Sequence, residues 1–176
     1  SLFKWSWKQD VPVQRVTVGQ GQNVEQVTSL HEDARGNAWV GSRSGAGVIE
    51  PGSGAPVMQV VEGKSPVLAI NGDQQGRVYA SFTTYGVARI DGAGAARKAR
   101  FLSRDDGVPE QSFFVAIDDK RASLWLCSTR GIVKLPMGQI DERIAGKREK
   151  IEPAYFTRAD GMASTQCNGA SQPAGW

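Results

Sequence analysis

The feature that most constrains the fold of this chain is a motif that occurs three times. An aspartate is followed six positions later by an aromatic residue, and a glycine comes after the aromatic residue in each copy. The aromatic positions are 40 and 46 residues apart, and repeats of that length are typical of solenoids and propellers. The signature residues are Asp33, Gly36, Trp39 and Gly47, then Asp73, Gly76, Tyr79 and Gly86, then Asp119, Trp125 and Gly131.

Short apolar runs separated by turn residues indicate that each repeat consists of β-strands. No stretch keeps the 3.6-residue apolar period and the caps of a helix. The connections ARGN, RSGA and PGSGA are rich in Gly and Asn, which accept the positive φ of tight hairpin turns. Four short antiparallel strands per repeat is the organisation of a propeller blade, so the sequence predicts an all-β propeller segment. The runs in the first repeat are 27–32, 38–42, 47–50 and 56–60.

Each part of the motif has a predicted structural role. The aspartate and the glycine build the turn between the first two strands, because aspartate accepts backbone hydrogen bonds and glycine adopts the left-handed region. The aromatic ring fills the wedge between neighbouring blades, and its burial contributes about 1.5–3 kcal/mol. The third copy has Ala122 where glycine is expected, which predicts a different turn type there without loss of the blade.

A second, weaker repeat links the blades. FLSRDDGVPEQSF at 101–113 matches YFTRADGMASTQC at 155–167 at a constant offset of 54 residues. Both stretches are predicted crossovers from one blade to the next. Such loops collect on one face of a propeller, where a ligand would be met.

The predicted organisation is a single propeller segment rather than a closed ring. A segment cut from a larger array leaves open sheet edges, which predicts self-association. The alternative is a four-bladed ring, in which the last strand completes the first, partial blade. The predicted boundaries are a partial blade at 1–26, blades at 27–66, 67–111 and 112–165, and the start of another blade at 166–176.

Charge and cysteine content exclude few classes of protein. The net charge of +3 is small and both signs are interspersed, so nothing indicates a nucleic-acid partner. Cys127 and Cys167 lie in different repeats, and two thiols predict no disulfide framework and leave the compartment open. No run of 18 apolar residues is present, so any attachment to a membrane is expected through segments outside this sequence.

The stretch SLHEDARGNAWVGSRSGAGV at 29–48 resembles the repeat of the two-component regulator propeller family. The final segment, DGMASTQCNGASQPAGW at 160–176, resembles the late part of the array in sensor proteins of that family. The resemblance covers 27–176 well and the first 26 residues poorly. It implies a non-catalytic sensor segment in the periplasm, as the extracytoplasmic part of an inner-membrane receptor.

By the same resemblance, the output domain is a histidine kinase or a diguanylate cyclase, and some ligands of the family are carbohydrate-derived. The family has no shared catalytic or ligand-binding motif, so no catalytic, metal or cofactor residue is carried over. The ligand itself is left open.

Other interpretations of single residues are weaker. His31, Glu32 and Asp33 are expected to be strand and turn positions rather than a metal or acid–base site, because His31 is the only histidine. Asp105 and Asp106 raise the alternative of a propeller-fold enzyme, a lyase or glycoside hydrolase. A protein-interaction scaffold is the other alternative. The basic stretch 97–100 is expected on an outer strand, and 141–152 is expected as a solvated excursion with about one helical turn.

Overall fold

The computed structural model describes residues 2–4, 14–18, 22–23, 26–52, 58–62 and 65–169. Nearly all regular structure in these residues is antiparallel β-sheet, which confirms the predicted all-β class. At the N-terminus, three strands form one sheet, in the stretch where the sequence predicted a partial blade. They are β1 (Leu2–Lys4), β2 (Gln14–Val18) and β3 (Gln22–Asn23).

Three four-stranded sheets follow, and in each one the strands are neighbours in chain order. Sheet 1 contains β4 (Ser29–Glu32), β5 (Ala38–Ser42), β6 (Gly45–Ile49) and β7 (Met58–Glu62). Sheet 2 contains β8 (Val67–Gly72), β9 (Val78–Phe82), β10 (Val87–Asp91) and β11 (Lys98–Leu102). Sheet 3 contains β12 (Val115–Asp118), β13 (Ser123–Cys127), β14 (Ile132–Pro136) and β15 (Ala154–Phe156).

Helical structure in the described residues is confined to connections. One α-helix, α1, follows β14, and short 3-10 turns follow or precede outer strands. Each sheet lies inside one of the predicted repeat boundaries, whereas most of the predicted strand at 166–176 lies outside the described residues. The helical elements are Gly94–Ala96, Arg104–Asp106, α1 (Met137–Ile144) and Arg158–Asp160.

The sheets pack side by side through their first strands, with β4 beside β8 and β8 beside β12. Sheet 2 is therefore covered on both faces, and all five residues of β9 are buried. Because side chains alternate along a strand, Val78 and Phe82 enter the core shared with sheet 1, while Tyr79 enters the core shared with sheet 3. This double burial explains why β9 is a nearly continuous apolar run.

The contact between sheets 1 and 2, here called junction A, is close at the backbone. A Cβ added at Gly41 would lie 2.8 Å from Val67 Cγ1 and would also meet the hydroxyl of Ser29. The core of this junction includes Trp39, Val48, Val61, Val67, Ile70, Val78, Phe82 and Ile90.

The contact between sheets 2 and 3, here called junction B, is filled partly by α1. Met137, Ile140 and Ile144 recur at helical spacing and pack into this core. The prediction of a solvated excursion at 141–152 was therefore wrong in part: the helix starts at Met137, has eight residues, and is anchored by buried Ile140, while Ile151 is also buried. The prediction missed this helix because its buried residues Met137 and Ile140 come before the charged stretch at 141–152.

The basic stretch at 97–100 divides between two roles. β11 is the outer strand of sheet 2, as expected, and Lys98 and Arg100 on it are exposed. Arg97 differs, since its side chain is only 4% exposed and pairs with Glu50 at 2.8 Å. Its guanidinium lies 5.5 Å from the ring centre of Trp39, so the Arg97 side chain crosses junction A to sheet 1. It does not lie along the outer edge of sheet 2.

Candidate functional site

The signature aspartate binds both its own turn and the aromatic ring that follows it. In the first repeat, Asp33 Oδ1 accepts the backbone N–H groups of Arg35 at 2.9 Å and Asn37 at 3.0 Å. Asp33 Oδ2 accepts the indole N–H of Trp39 at 2.9 Å. One carboxylate thus connects the turn to the second strand.

The same bond from ring to carboxylate occurs in the other two copies. Tyr79 donates its hydroxyl to Asp73 at 3.1 Å, and Trp125 donates its indole N–H to Asp119 at 3.0 Å. Sequence reasoning assigned the aspartate to the turn and the ring to the wedge but missed this bond between them. The available signal was that all three aromatic residues carry a donor, which phenylalanine lacks.

These hydrogen bonds favour the ionised carboxylates. Burial by itself would raise the pKa of Asp33, but the bonds from Trp39, Asn37 and the turn backbone hold that pKa below its usual value. The indole N–H of Trp125, together with turn N–H groups, likewise lowers the pKa of Asp119. Both aspartates are therefore structural anions at neutral pH.

The third turn keeps the left-handed backbone at Ala122 without a glycine. Ala122 has φ +74°, close to the +77° of Gly36 and Gly76. The turn differs one position after the aspartate, where Lys120 has φ +58°. The predicted change of turn type is thus located at Lys120, and all four strands of sheet 3 are formed.

The glycine after each aromatic residue lies in the next hairpin turn. Gly86 and Gly131 have φ +77° and +145°, and a Cβ on either would meet a carbonyl oxygen of the outer strand. In the first repeat, the structural counterpart is Gly45 at φ +129°, not the predicted Gly47, which pairs with Val40 within sheet 1.

The two predicted crossovers share one local structure. In each, a Ser or Thr and an Asp three residues later form a capping box, followed by a glycine at φ +93°. Asp106 is 2% exposed and pairs at 2.8 Å with both Arg100 and Arg143. Its carboxylate is committed to the fold, which leaves no support for a catalytic pair with Asp105.

The signature turns and the crossovers lie at opposite ends of the sheets. The crossover after β11 contacts the β9–β10 hairpin, where Gly86 donates its N–H to Gln111 at 2.7 Å. The aspartate turns lie at the other ends of these strands. An open groove of about 260 Å³, here called the inner groove, is found at the aspartate-turn end. It is lined by His31, Glu32, Asp33, Ala34, Gly72, Asp73, Gln74, Asp118 and Lys120.

His31 lies at the point where junction A reaches the inner groove. Its Nε2 would be 2.6 Å from a Cβ added at Gly72, so the ring packs directly on the neighbouring strand. Burial lowers the pKa of His31, against the opposing influence of the Asp33 and Glu32 charges. A neutral imidazole can both donate and accept a hydrogen bond at the groove wall.

An adjoining groove of about 360 Å³ shares Gln74, Asp118 and Lys120 with the inner groove. Arg77 and Asp141 line this groove, and they belong to an ion-pair network in which Asp141 of α1 binds Arg77, in the turn before β9, and Arg89 of β10. Arg77 also pairs with Asp73 of the signature turn. The network is fixed across junction B, and sequence reasoning missed it because its members lie 52 and 64 residues apart.

Together the grooves offer a polar surface with both donors and acceptors. Glu32 and Asp118 supply carboxylates, Lys120 an ammonium group and Gln74 an amide. Asp33 and Asp73 line the same groove, but their oxygens already accept hydrogen bonds within the motif, and Asp118 Oδ1 accepts the backbone N–H of Lys120 at 3.0 Å. The arrangement suits a small polar ligand with several hydrogen-bonding groups.

Cys127 at the end of β13 forms a disulfide with Cys167, with the two Cα atoms 5.9 Å apart. The sequence predicted no disulfide framework from two cysteines and did not indicate this single bond, which forms because the segment after β15 returns to the end of β13. Disulfides persist in oxidising compartments, which include the bacterial periplasm.

Two other kinds of functional feature are absent from the described ranges. No group of three or more His, Cys, Asp or Glu side chains there is arranged to hold a metal ion. No helix in the same residues is long and apolar enough to span a bilayer.

No protein-family model matches the chain, and no curated protein matches it. Two solved structures from B. thetaiotaomicron are similar to it. One is the extracellular domain of BT3049, a proposed hybrid two-component system, with a TM-score of 0.59, 17% identity and coverage of 82% of this chain and 18% of that one. The other is the extracellular domain of BT4673, a proposed one-component system, with a TM-score of 0.65, 16% identity and coverage of 89% and 23%.

A likeness at this identity shows that the fold is shared. This chain spans about a fifth of the length of each of the two structures. The shared fold agrees with the resemblance of the stretch 29–48 to the repeat of the two-component regulator propeller family.

Proposed function

We propose that this chain is a non-catalytic, extracytoplasmic sensor segment of a bacterial signalling receptor, with its sheets arranged as blades of a larger β-propeller. The observation that carries the proposal is the fold shared with extracellular domains of one- and two-component systems over 82–89% of the chain. The Cys127–Cys167 disulfide supports a location in the periplasm. The output domain is a histidine kinase or diguanylate cyclase outside this sequence.

The inner groove is the proposed place where a small polar ligand binds. Four side chains with hydrogen-bonding groups face it from three consecutive repeats, namely Glu32, Gln74, Asp118 and Lys120. A ligand held there contacts all three sheets at once, so its binding favours one arrangement of the sheets over others. Carbohydrate-derived ligands are the first class to test.

A thermal-shift screen with neutral and acidic oligosaccharides and peptidoglycan fragments tests the binding site. We expect a compound that raises Tm for the native chain and for Lys98→Ala, an exposed outer-strand control. The same compound should have no effect on a Glu32→Gln/Lys120→Ala variant. An equal Tm shift in both variants would place the ligand elsewhere.

The sensor role is tested in the natural protein at its full length. Removal of residues 27–165 should abolish the response of the kinase or cyclase output to the compound that raised Tm. An output that still responds after the deletion would refute the sensor role of this segment.

A further inference from the structure

The face of sheet 3 that points away from sheet 2 carries a partly exposed aromatic cluster. Trp125 stacks on Phe156 with ring centres 5.6 Å apart, and Lys134 Nζ lies 5.1 Å from the Trp125 ring centre. All three side chains are only partly buried and all belong to sheet 3 itself. This surface is called the Trp125 face.

The equivalent aromatic residues of the other two repeats are covered by the repeat that follows. Trp39 is 2% exposed and lies under Arg97, which precedes the outer strand of sheet 2. Tyr79 is 1% exposed and contacts Met137 Sδ at 3.4 Å, where Met137 opens the helix that follows β14. The Trp125 face has no such cover within the described residues.

The backbone that follows sheet 3 makes the same hydrogen bond to its sheet as the backbone that leads into β12 makes to sheet 2. Phe113 donates its N–H to the carbonyl of Phe82 at 3.3 Å, and Cys167 donates its N–H to the carbonyl of Ser128 at 3.0 Å. Phe82 and Ser128 each lie three residues after their aromatic residue, and Phe113 and Cys167 are 54 residues apart. By this spacing, Gly169 takes the position of Val115, the first residue of β12.

The disulfide lies at the position where junction A has a close packing contact. The residues two positions after the aromatic rings are Gly41, Ser81 and Cys127. At junction A, Gly41 faces Val67, which corresponds to Phe113 at junction B by the 46-residue spacing of the motif. The third pair in the series is Cys127 with Cys167, so a covalent bond replaces a close apolar contact.

We propose that the Trp125 face is an interface, and that its occupant is a further four-stranded sheet of the same protein, which follows sheet 3 in the chain. A Cβ at Gly169 would lie 2.6 Å from Phe114 Cδ1, so this segment is already in close contact with sheet 3. Four of the eight residues at 162–169 are exposed, and the Cys127–Cys167 disulfide fixes this segment on sheet 3. The inference rests on the proposed propeller arrangement and assigns the surface through which the array continues.

Hydroxyl-radical footprinting with mass spectrometry tests this assignment, with Trp39 as the matched internal control. In the 176-residue chain at low concentration, Trp125 and Phe156 should be labelled more than Trp39. In the natural protein at full length, labelling of Trp125 should fall to the level of Trp39. A Cys127→Ser/Cys167→Ser variant of the full-length protein should recover part of the Trp125 labelling while Trp39 stays protected.

Three outcomes would overturn the inference. Equal labelling of Trp125 in the short and full-length proteins would show that the face is free. Protection of Trp125 in the short chain at every concentration would place its cover within these 176 residues. Protection of the full-length protein only at concentrations where it self-associates would make a second copy the occupant.

These readouts are independent of signalling. A receptor whose output ignores deletion of residues 27–165, but whose Trp125 is protected, would refute the proposed function and leave the interface in place. The converse result, a responsive receptor with a freely labelled Trp125, would refute the interface and leave the sensor role in place.

Discussion

Junctions A and B each join the sheets of two successive repeats, but they are filled in different ways. Junction A is formed by close backbone approach at Gly41 and by Arg97 reaching over Trp39. Junction B includes the helix α1, whose Met137 and Ile140 enter the core beside Tyr79.

The difference separates what the repeat specifies from what it leaves open. The bond from ring to aspartate is the same in all three repeats, so the motif organises each sheet internally. The next repeat supplies the residues that cover the ring. The cover is Arg97 at junction A and Met137 of α1 at junction B. Insertions such as α1 are therefore tolerated where they bring an apolar stripe to the junction.

The largest effect is expected at junction B on substitution of Ile140. Ile140→Ala removes a fully buried side chain of α1 and should lower the free energy of unfolding by about 2–5 kcal/mol, measured by urea denaturation. Ile144→Ala, which truncates a partly buried side chain of the same helix, should cost less. If both variants were equally stable to urea, α1 would not be part of the core.

Junction A should instead be sensitive to added volume. Gly41→Ala places a methyl group 2.8 Å from Val67 and should cost about 1–3 kcal/mol through overpacking. Gly138→Ala is the matched control, because a Cβ there meets nothing within 4 Å and alanine favours the helix by about 1 kcal/mol. Thermal unfolding should therefore move in opposite directions, and a stabilising Gly41→Ala would contradict the close approach.

A smaller loss is expected when the cover over Trp39 is removed. Arg97→Ala should lower the free energy of unfolding by about 1–2 kcal/mol, since the guanidinium stacks on a buried ring and its stem is packed. Lys98→Ala, on the exposed side of β11, should have almost no effect. Arg97→Ala should also shift tryptophan fluorescence to longer wavelength, because the ring of Trp39 loses its cover. Unchanged emission would argue against this contact.

The smallest expected effect is a loss of folding stability at mildly acidic pH, which arises from His31 at junction A. Because burial lowers the pKa of His31 in the folded chain, the unfolded chain binds more protons at mildly acidic pH. The stability from the neutral ring is present above about pH 6.5 and is lost as pH falls through the lower, folded pKa. Urea denaturation should show this loss in the native chain and not in His31→Asn, and parallel pH profiles for the two would contradict it.

The strands and the signature turns were predictable because both depend on neighbours in sequence. Asp33 and Trp39 are six residues apart, and short apolar runs between turn residues mark β5 and β9 directly. The predicted Gly47 was displaced by two positions from Gly45, because a glycine in a strand and one in a turn look alike in sequence.

The contacts between repeats were not predictable in the same way. The partners Arg97 and Trp39, or Cys127 and Cys167, become neighbours only after sheets pack, and no local pattern records that pairing. The inner groove belongs to this class too, since its walls come from three sheets. Its residues could be named in sequence as turn positions but not assembled into a site.

The central claim is that successive repeats pack through equivalent positions, and an engineered cross-link tests it most directly. Gly41 and Val67 occupy the places of Cys127 and Cys167, so Gly41→Cys/Val67→Cys should form a second disulfide. The variant also carries Ser29→Ala to remove the hydroxyl that the new Cβ would meet. Peptide mapping of the oxidised protein should find residues 41 and 67 linked alongside the native bond, whereas free thiols at both positions with the native bond intact would contradict the claim.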